Sequence, residues 1–279
     1  MAQSTPVATI ATEQIVNDIL ATIERERERE IISRRFGLFD RKETLEQIGE
    51  LLGITRERVR QLEKSVLTRM KQTAEQGHVP HISEVEQTFT SNLEDLGGAA
   101  RVSELSGRVT VENSRIEQSR VAFLAQLCPK LDVINEDDHF YLSVTIKSFH
   151  DAASLKSSVQ KLIATIKKIG EPKPIADIAK EAGIKDAKQA EAIASTSKHL
   201  ATLNGRWGLM KWPMVNPKNI RDKIYVILYE NGKHMHFNEI AEAIKASDFK
   251  RKAVTTQAIH NELIKDKRFV LIGRGIYAL

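Results

Sequence analysis

The sequence predicts a mainly α protein: a helix-turn-helix near the N-terminus, followed by three winged-helix modules with small β-hairpin wings. Three observations carry that prediction. Apolar residues between Ile15 and Val66 recur at helical rather than strand spacing. After about residue 80, the same order of segments occurs three times, each beginning where an amphipathic helix ends at glycine. Each of these repeats closes on a short aromatic run with strand character. The expected division is residues 1–80 for the helix-turn-helix and 81–150, 151–214 and 215–279 for the winged helices.

Along the chain, Ile15, Ile19 and Ile23 recur every fourth residue and place one apolar stripe on a helix that runs into the charged stretch Glu24 to Glu30. Opposite charges in that stretch fall three residues apart, so each finds a partner one turn away. The stretch fits a solvated helix face, with contact of its arginines to phosphate or to a protein as the alternative.

The segment Thr44 to Glu63 carries the sharpest local signal. Thr44 with Gln47 three residues on has the form of a capping box. Leu45, Ile48 and Leu52 give that helix one apolar face, Gly53 permits a tight turn, and Thr55 can cap the next helix. The second helix buries Val59, Leu62 and Val66 and leaves Arg56, Glu57, Arg60 and Gln61 on its N-terminal face. Arginine complements guanine O6 and N7, glutamine adenine N6 and N7, and glutamate accepts from cytosine N4. A carboxylate facing a polyanion is unfavourable, so Glu57 among arginines points to base reading. The competing expectation is a solvated face on which Glu57 pairs with Arg60 or Gln61.

In the repeats, the terminating glycines are Gly97-Gly98, Gly170 and Gly232. Short helices are expected over Val102 to Val109, Ile175 to Ile184 and Phe237 to Ile244, each followed by a longer helix. The closing strand-like runs are Phe140-Tyr141-Leu142, Arg206 to Leu209 and Gly275 to Leu279. Pro213 and Pro217 mark the junction of the last two repeats.

Charge is segregated along the chain. The whole carries +5, with residues 81–150 at net −5 and residues 151–214 and 215–279 at net +5 each. Basic segments favour polyanions such as DNA, and the acidic one favours a protein contact. A chain of 279 residues fits about two to four compact domains. No apolar run approaches the roughly 20 residues of a membrane span, and Met1 to Thr12 lacks the pattern of a secretory signal. The single cysteine, Cys128, excludes an intramolecular disulfide and fits a reducing cytoplasm.

Arg34-Arg35-Phe36-Gly37-Leu38 followed by the Thr44 to Glu63 segment closely resembles region 4 of the sigma-70 family over roughly residues 20–72. The resemblance implies a helix that reads a promoter −35 element and preceding helices that contact the β flap of RNA polymerase core. It implies base contacts by Arg56, Glu57 and Gln61, with Arg60 on the same face, and phosphate contacts by Arg27, Arg35, Thr44 and Leu45, with Arg58 beside them. The chain departs from the family in a slightly shorter spacer, Phe39 to Glu43, and in Ser65 at a position often basic. No segment resembles the aromatic-rich region that captures melted promoter DNA, so a complete sigma factor is not expected. From about Asn219 to Leu279 the chain resembles the HARE-type winged helix also found in the δ subunit of bacterial RNA polymerase. The residues that carry this are Ile224 to Leu228, Gly232 to Ala241 and Arg268 to Tyr277. That resemblance implies a third helix over about Val254 to Lys265 as reader, with Lys250, Arg251, Lys252 and Arg274 nearest phosphate. A solvated basic surface on a protein-binding module is the alternative.

No Walker loop, His-Glu-x-x-His, nucleophile elbow or paired-cysteine zinc pattern occurs, so neither catalysis nor a cofactor or metal is expected. Gly273-Arg274-Gly275 reads as a hairpin turn, His234 and His236 lack a third ligand, and Trp207 and Trp212 read as packing residues. The expected partners are double-stranded DNA and RNA polymerase core, with no membrane and no small-molecule substrate. An adaptor whose winged helices bind proteins is the alternative function.

Overall fold

The computed structural model describes residues 9–249 and 253–279. Thirteen helices and nine short strands occur among them, in two compact units. Residues up to Val159 together with Lys188–Ser197 form the first, and Gln160–Ala187 with Lys198–Leu279 the second.

The first unit begins with α1 (Thr12–Ala21), α2 (Glu26–Phe36), α3 (Leu45–Leu52) and α4 (Arg56–Glu75). The sequence pattern suggested that the Ile15–Ile23 stripe and the charged stretch share one helix. Instead α1 ends at Ala21, where the Thr22 hydroxyl donates to the Ile19 carbonyl at 2.7 Å and Ile23 turns into the core. Helix α2 then starts afresh behind an extended Arg25. There follow α5 (Ile82–Leu96), β1 (Ala99–Arg101), α6 (Val102–Val109), α7 (Arg115–Leu127), β2 (Leu131–Ile134) and β3 (Ser143–Ile146). Helix α8 (Ala152–Ile169) begins in this unit.

In the second unit lie β4 (Lys173–Pro174), α9 (Ile175–Ala182), β5 (Leu200–Leu203) and β6 (Arg206–Leu209). After α9 comes α10 (Ala187–Ser195), whose residues from Lys188 on belong to the first unit. The chain ends with α11 (Ile220–Asn231), β7 (Met235–His236), α12 (Phe237–Ala246), α13 (Thr256–Lys265), β8 (Val270–Gly273) and β9 (Ile276–Ala278).

The order helix, short strand, helix, helix, hairpin therefore recurs three times. The three sheets share one antiparallel topology, β1-β3-β2, β4-β6-β5 and β7-β9-β8, in which the closing strand sits in the middle. This is a mainly α fold with small β wings. Gly97, Gly170 and Gly232 stop α5, α8 and α11 with left-handed φ of 96°, 81° and 64°. The first aromatic run differs from expectation. Phe140 to Leu142 precede β3 because the Asp137 carboxylate accepts from the backbone N–H of His139 and Phe140, both at 2.7 Å, and ties that stretch into a turn.

One apolar core in the first unit runs from Val16 through Ile32, Val66, Met70, Phe89 and Phe123 to Ile146, so α1, α2, α4 and the 81–150 segment are packed together. Phe36 meets Phe123 edge to face at 5.1 Å across α2 and α7. Full burial of a side chain such as Phe123 contributes about 1.5–3 kcal/mol. Arg120 of α7, 6% exposed, bridges the same seam. Its guanidinium donates to the Leu38 carbonyl at 2.8 Å, to Glu117 at 2.8 Å and to Glu13 at 2.7 Å. Cys128 is buried and donates to the Leu124 carbonyl at 3.3 Å; burial pushes its thiol pKa up. No helix among the described residues is long and apolar enough to cross a membrane.

Candidate nucleic-acid interface

Helices α3 and α4 form a helix-turn-helix whose caps follow from the sequence. The Thr44 hydroxyl accepts from the Gln47 N–H at 3.2 Å, and the Gln47 side chain accepts from the Thr44 N–H at 2.9 Å, completing the capping box. Thr55 caps α4 by accepting from the Arg58 N–H at 3.2 Å. Between them the chain must reverse in a few residues. Gly53 does this with φ of 65°, and Gly49 lies so close to the turn that a Cβ there would stand 2.7 Å from the Ile54 carbonyl. Ile31, Ile48 and Val59 are fully buried beneath the turn, with Leu45, Leu52, Ile54 and Leu62 around them. This small core fixes the angle at which α4 is presented.

Arg56, Glu57, Arg58, Arg60 and Gln61 are all exposed on the first two turns of α4. They form a mutually bonded set. Arg60 grips Glu57 with two hydrogen bonds of 2.8 and 2.6 Å, Gln61 donates to Glu57 at 3.3 Å, and Arg58 donates to Gln61 at 3.4 Å. The Arg60 hydrogen bonds pull the Glu57 carboxyl down to about 2. Arg56 pairs with Glu46 of α3 at 2.7 Å. The Glu46 carboxyl is lowered first by its own backbone N–H at the helix start and then by Arg56. Both pairings involve side chains more than half exposed. Such surface pairs are screened by solvent and add little to stability. They pre-arrange the side chains without locking them.

The residues expected to meet phosphate surround this helix. Arg35 is half-buried, donates to Glu63 at 3.3 Å and to the Glu43 carbonyl at 3.1 Å, and thereby ties α2 to α4 beside the N-terminus of α3. Thr44 and Leu45 stand at that N-terminus, where the capping box takes up two backbone donors. The exposed Arg27 donates to the Leu52 carbonyl at the other end of α3. In the last winged helix, Arg274 is exposed at the tip of the β8–β9 hairpin, and Lys250, Arg251 and Lys252 lie outside the described residues.

Three features were not drawn from the sequence. Glu46 as a holder of Arg56 depends on the angle between α3 and α4, which no spacing gives. Lys64, Thr68 and Gln72 extend the exposed face of α4 beyond Arg60, and the four-residue spacing could have shown this. Glu28 is buried at the base of α2, where it pairs with Arg25 at 3.3 Å and with Arg69 of α4 at 2.6 Å. Within an alternating charged run it carried no mark of burial.

Residues 25–72 match the family model of sigma-70, region 4. This region 4 segment contains α2, α3 and nearly all of α4. It is 44% identical over 54 residues to the RNA polymerase sigma factor sigB of Arabidopsis thaliana, covering 19% of this chain and 9% of that protein. It is likewise 44% identical over 57 residues to the RNA polymerase sigma factor SigA of Bacillus sp, covering 20% and 15%. The chain thus spans less than a sixth of the length of either relative. No solved structure matches it.

Proposed function

We propose that the protein binds double-stranded DNA through the region 4 segment and regulates transcription initiation in association with RNA polymerase core. In this reading α4 enters the major groove at a −35-like element. Arg56, Glu57, Arg60 and Gln61 read base edges, while Arg35, Arg58, Arg27 and the α3 terminus at Thr44 and Leu45 fix the register on phosphate. The observation that carries the reading is the capped, exposed N-terminal half of α4, with guanine-, cytosine- and adenine-complementary side chains on one face. Polymerase contact, with the β flap as its expected site, is restricted by packing. The inward faces of α2 and α4 pack on α7 in an apolar core that also takes in α1 and α5, so a polymerase contact from this segment uses their outward faces.

Three experiments test this. Selection from a random duplex pool should enrich one motif, and core polymerase should be retained by the immobilised protein; an unenriched pool would remove sequence reading from the proposal. In run-off transcription, this chain added alone to core enzyme should give no correctly started transcript on linear duplex, because the segment carries no aromatic platform for a melted strand. Added to a holoenzyme it should alter the yield.

A specific observation favours the adaptor reading for part of the chain. Helix α10, which holds the reader's place in the middle winged helix, has Ala190, Ala192, Ile193 and Ala194 buried. The turn after it, itself part of the first unit, is bonded there to Tyr141 through Thr196 and to Phe140 through Ser197. DNA reading by that helix is not part of the proposal.

A further inference from the structure

The three wings of this chain differ in what they touch. In the first, the hairpin loop between β2 and β3 receives the stretch 195–197. The Tyr141 N–H donates to the Thr196 carbonyl at 2.9 Å, and Phe140 forms an antiparallel bridge with Ser197. Arg101, stacked 3.9 Å over the Tyr141 ring, donates to the Ser195 carbonyl. In the second, the tip is Asn204-Gly205. The Asn204 amide donates to both carboxylate oxygens of Glu230 on α11, at 2.8 and 2.6 Å, and Leu203 packs against the apolar core of α11, α12 and α13. Both wings dock onto the module that follows them, the second by pairing a polar tip with a carboxylate and an apolar neighbour with a helical surface.

The third wing has the same form with the surface left open. Gly275 turns its tip with φ of 74°, the value found at Gly205, and Arg274 stands where Asn204 stands. On the edge strand β8, Val270, Leu271 and Ile272 are 52, 61 and 53% exposed. The corresponding strands expose no apolar run: β2 is buried or half-buried throughout, and β5 exposes only Thr202. Three consecutive exposed apolar residues on an edge strand are a liability unless something covers them.

We propose that the third wing docks a separate protein, and that its occupant is an amphipathic helix presenting apolar side chains beside a carboxylate. The edge of β8, bulged between Leu271 and Gly273, takes the apolar face through Leu271 and Ile272. Arg274 takes the carboxylate in a two-pronged pair, as Asn204 takes Glu230. Charge decides among occupants. Exposed Lys265, Lys267 and Arg274 surround the strand, and residues 215–279 carry net +5, so a second copy of this wing meets like charge and an acidic helix meets its complement. Duplex DNA satisfies Arg274 but offers phosphate and sugar to an apolar strand that can hydrogen-bond neither through its side chains.

The test is fluorescence anisotropy with the full chain and a synthetic amphipathic helix bearing leucine and isoleucine on one face and glutamate along its flank, against the same helix with glutamine for glutamate. The glutamate helix should bind saturably, about tenfold tighter than the glutamine helix, as for loss of one charge-assisted pair. Leu271→Ser and Ile272→Ser should each weaken it about tenfold, the equivalent of one lost apolar contact. Arg274→Ala should abolish the preference for glutamate. Ile272→Thr, which keeps a β-branched strand residue, guards against a folding defect and should weaken binding likewise. Absence of saturable binding, or indifference to Leu271→Ser and Ile272→Thr, would overturn the proposal. So would a wild-type dimer that these variants render monomeric, which would assign the surface to a second copy. Duplex affinity that falls with Arg274→Ala while helix binding does not would assign the wing to DNA.

Discussion

Replacing Arg120 by methionine removes the charged head that joins α7 to the turn after α2 while keeping most of the buried stem. Three acceptors lose their donor. The Leu38 carbonyl forfeits a buried hydrogen bond, about 1 kcal/mol. Glu117, with its side chain 18% exposed, keeps the Thr12 hydroxyl as its side-chain partner among the described residues and bears most of an uncompensated partly buried charge, about 2 kcal/mol. Glu13 is 64% exposed and rehydrates at little cost. The loss is therefore about 3 kcal/mol, a fall in midpoint of about 6–12 °C for a unit of this size. Both tryptophans, Trp207 and Trp212, belong to the second unit, which supplies an internal control. Far-UV circular dichroism should show an early transition from the first unit while the tryptophan emission transition keeps its midpoint. A loss below about 1 kcal/mol, within the range of an exposed ion pair, would refute the assignment of Arg120 as a buried bridge.

Further outcomes follow from the same geometry. Glu57 should titrate near 2 by carboxyl NMR, and Arg60→Ala should return it toward 4.5. Because its folded pKa is depressed, its contribution is present above 4.5 and lost as pH falls through about 2, so α4 keeps this pairing throughout the neutral range. Thr44→Ala removes one half of the capping box and should destabilise the first unit by about 1 kcal/mol, with Thr44→Ser close to wild type, measured by urea denaturation. Cys128, buried with a raised thiol pKa, should resist aromatic disulfide reagents in the folded protein and react fully in denaturant. Reaction of the native protein at the denatured rate would contradict that placement.

What the sequence made legible was local. Thr44 and Gln47 are three residues apart, and that spacing alone specifies a capping box; Gly97, Gly170 and Gly232 announce helix ends for the same reason, that only a few residues adopt the required backbone. Arg206 to Leu209 reads as a strand and forms one. Long-range pairings left no such mark. Arg120 lies 107 residues from Glu13, and Arg101 lies 94 from Ser195, so neither pairing has a spacing to be read. The end of α1 before α2 leaves no mark in the sequence, because the apolar stripe through Ile23 keeps helical spacing while a threonine hydroxyl closes the helix. On α4, residue types indicated the competing roles of Glu57, and the structure adds its partners in the free protein: Arg60 and Gln61, as the solvated-face alternative anticipated.

Whether α4 reads bases or lies along phosphate is decided by Arg56→Ala, measured on the selected duplex and on a random duplex at one salt concentration. Base reading predicts a loss of about 1–3 kcal/mol on the selected duplex, relaxed preference at a single position, and little change on the random one. Arg35→Ala, by contrast, should weaken both alike and flatten the salt dependence by about one phosphate contact. Equal losses for Arg56→Ala on the two duplexes would contradict base reading by this helix.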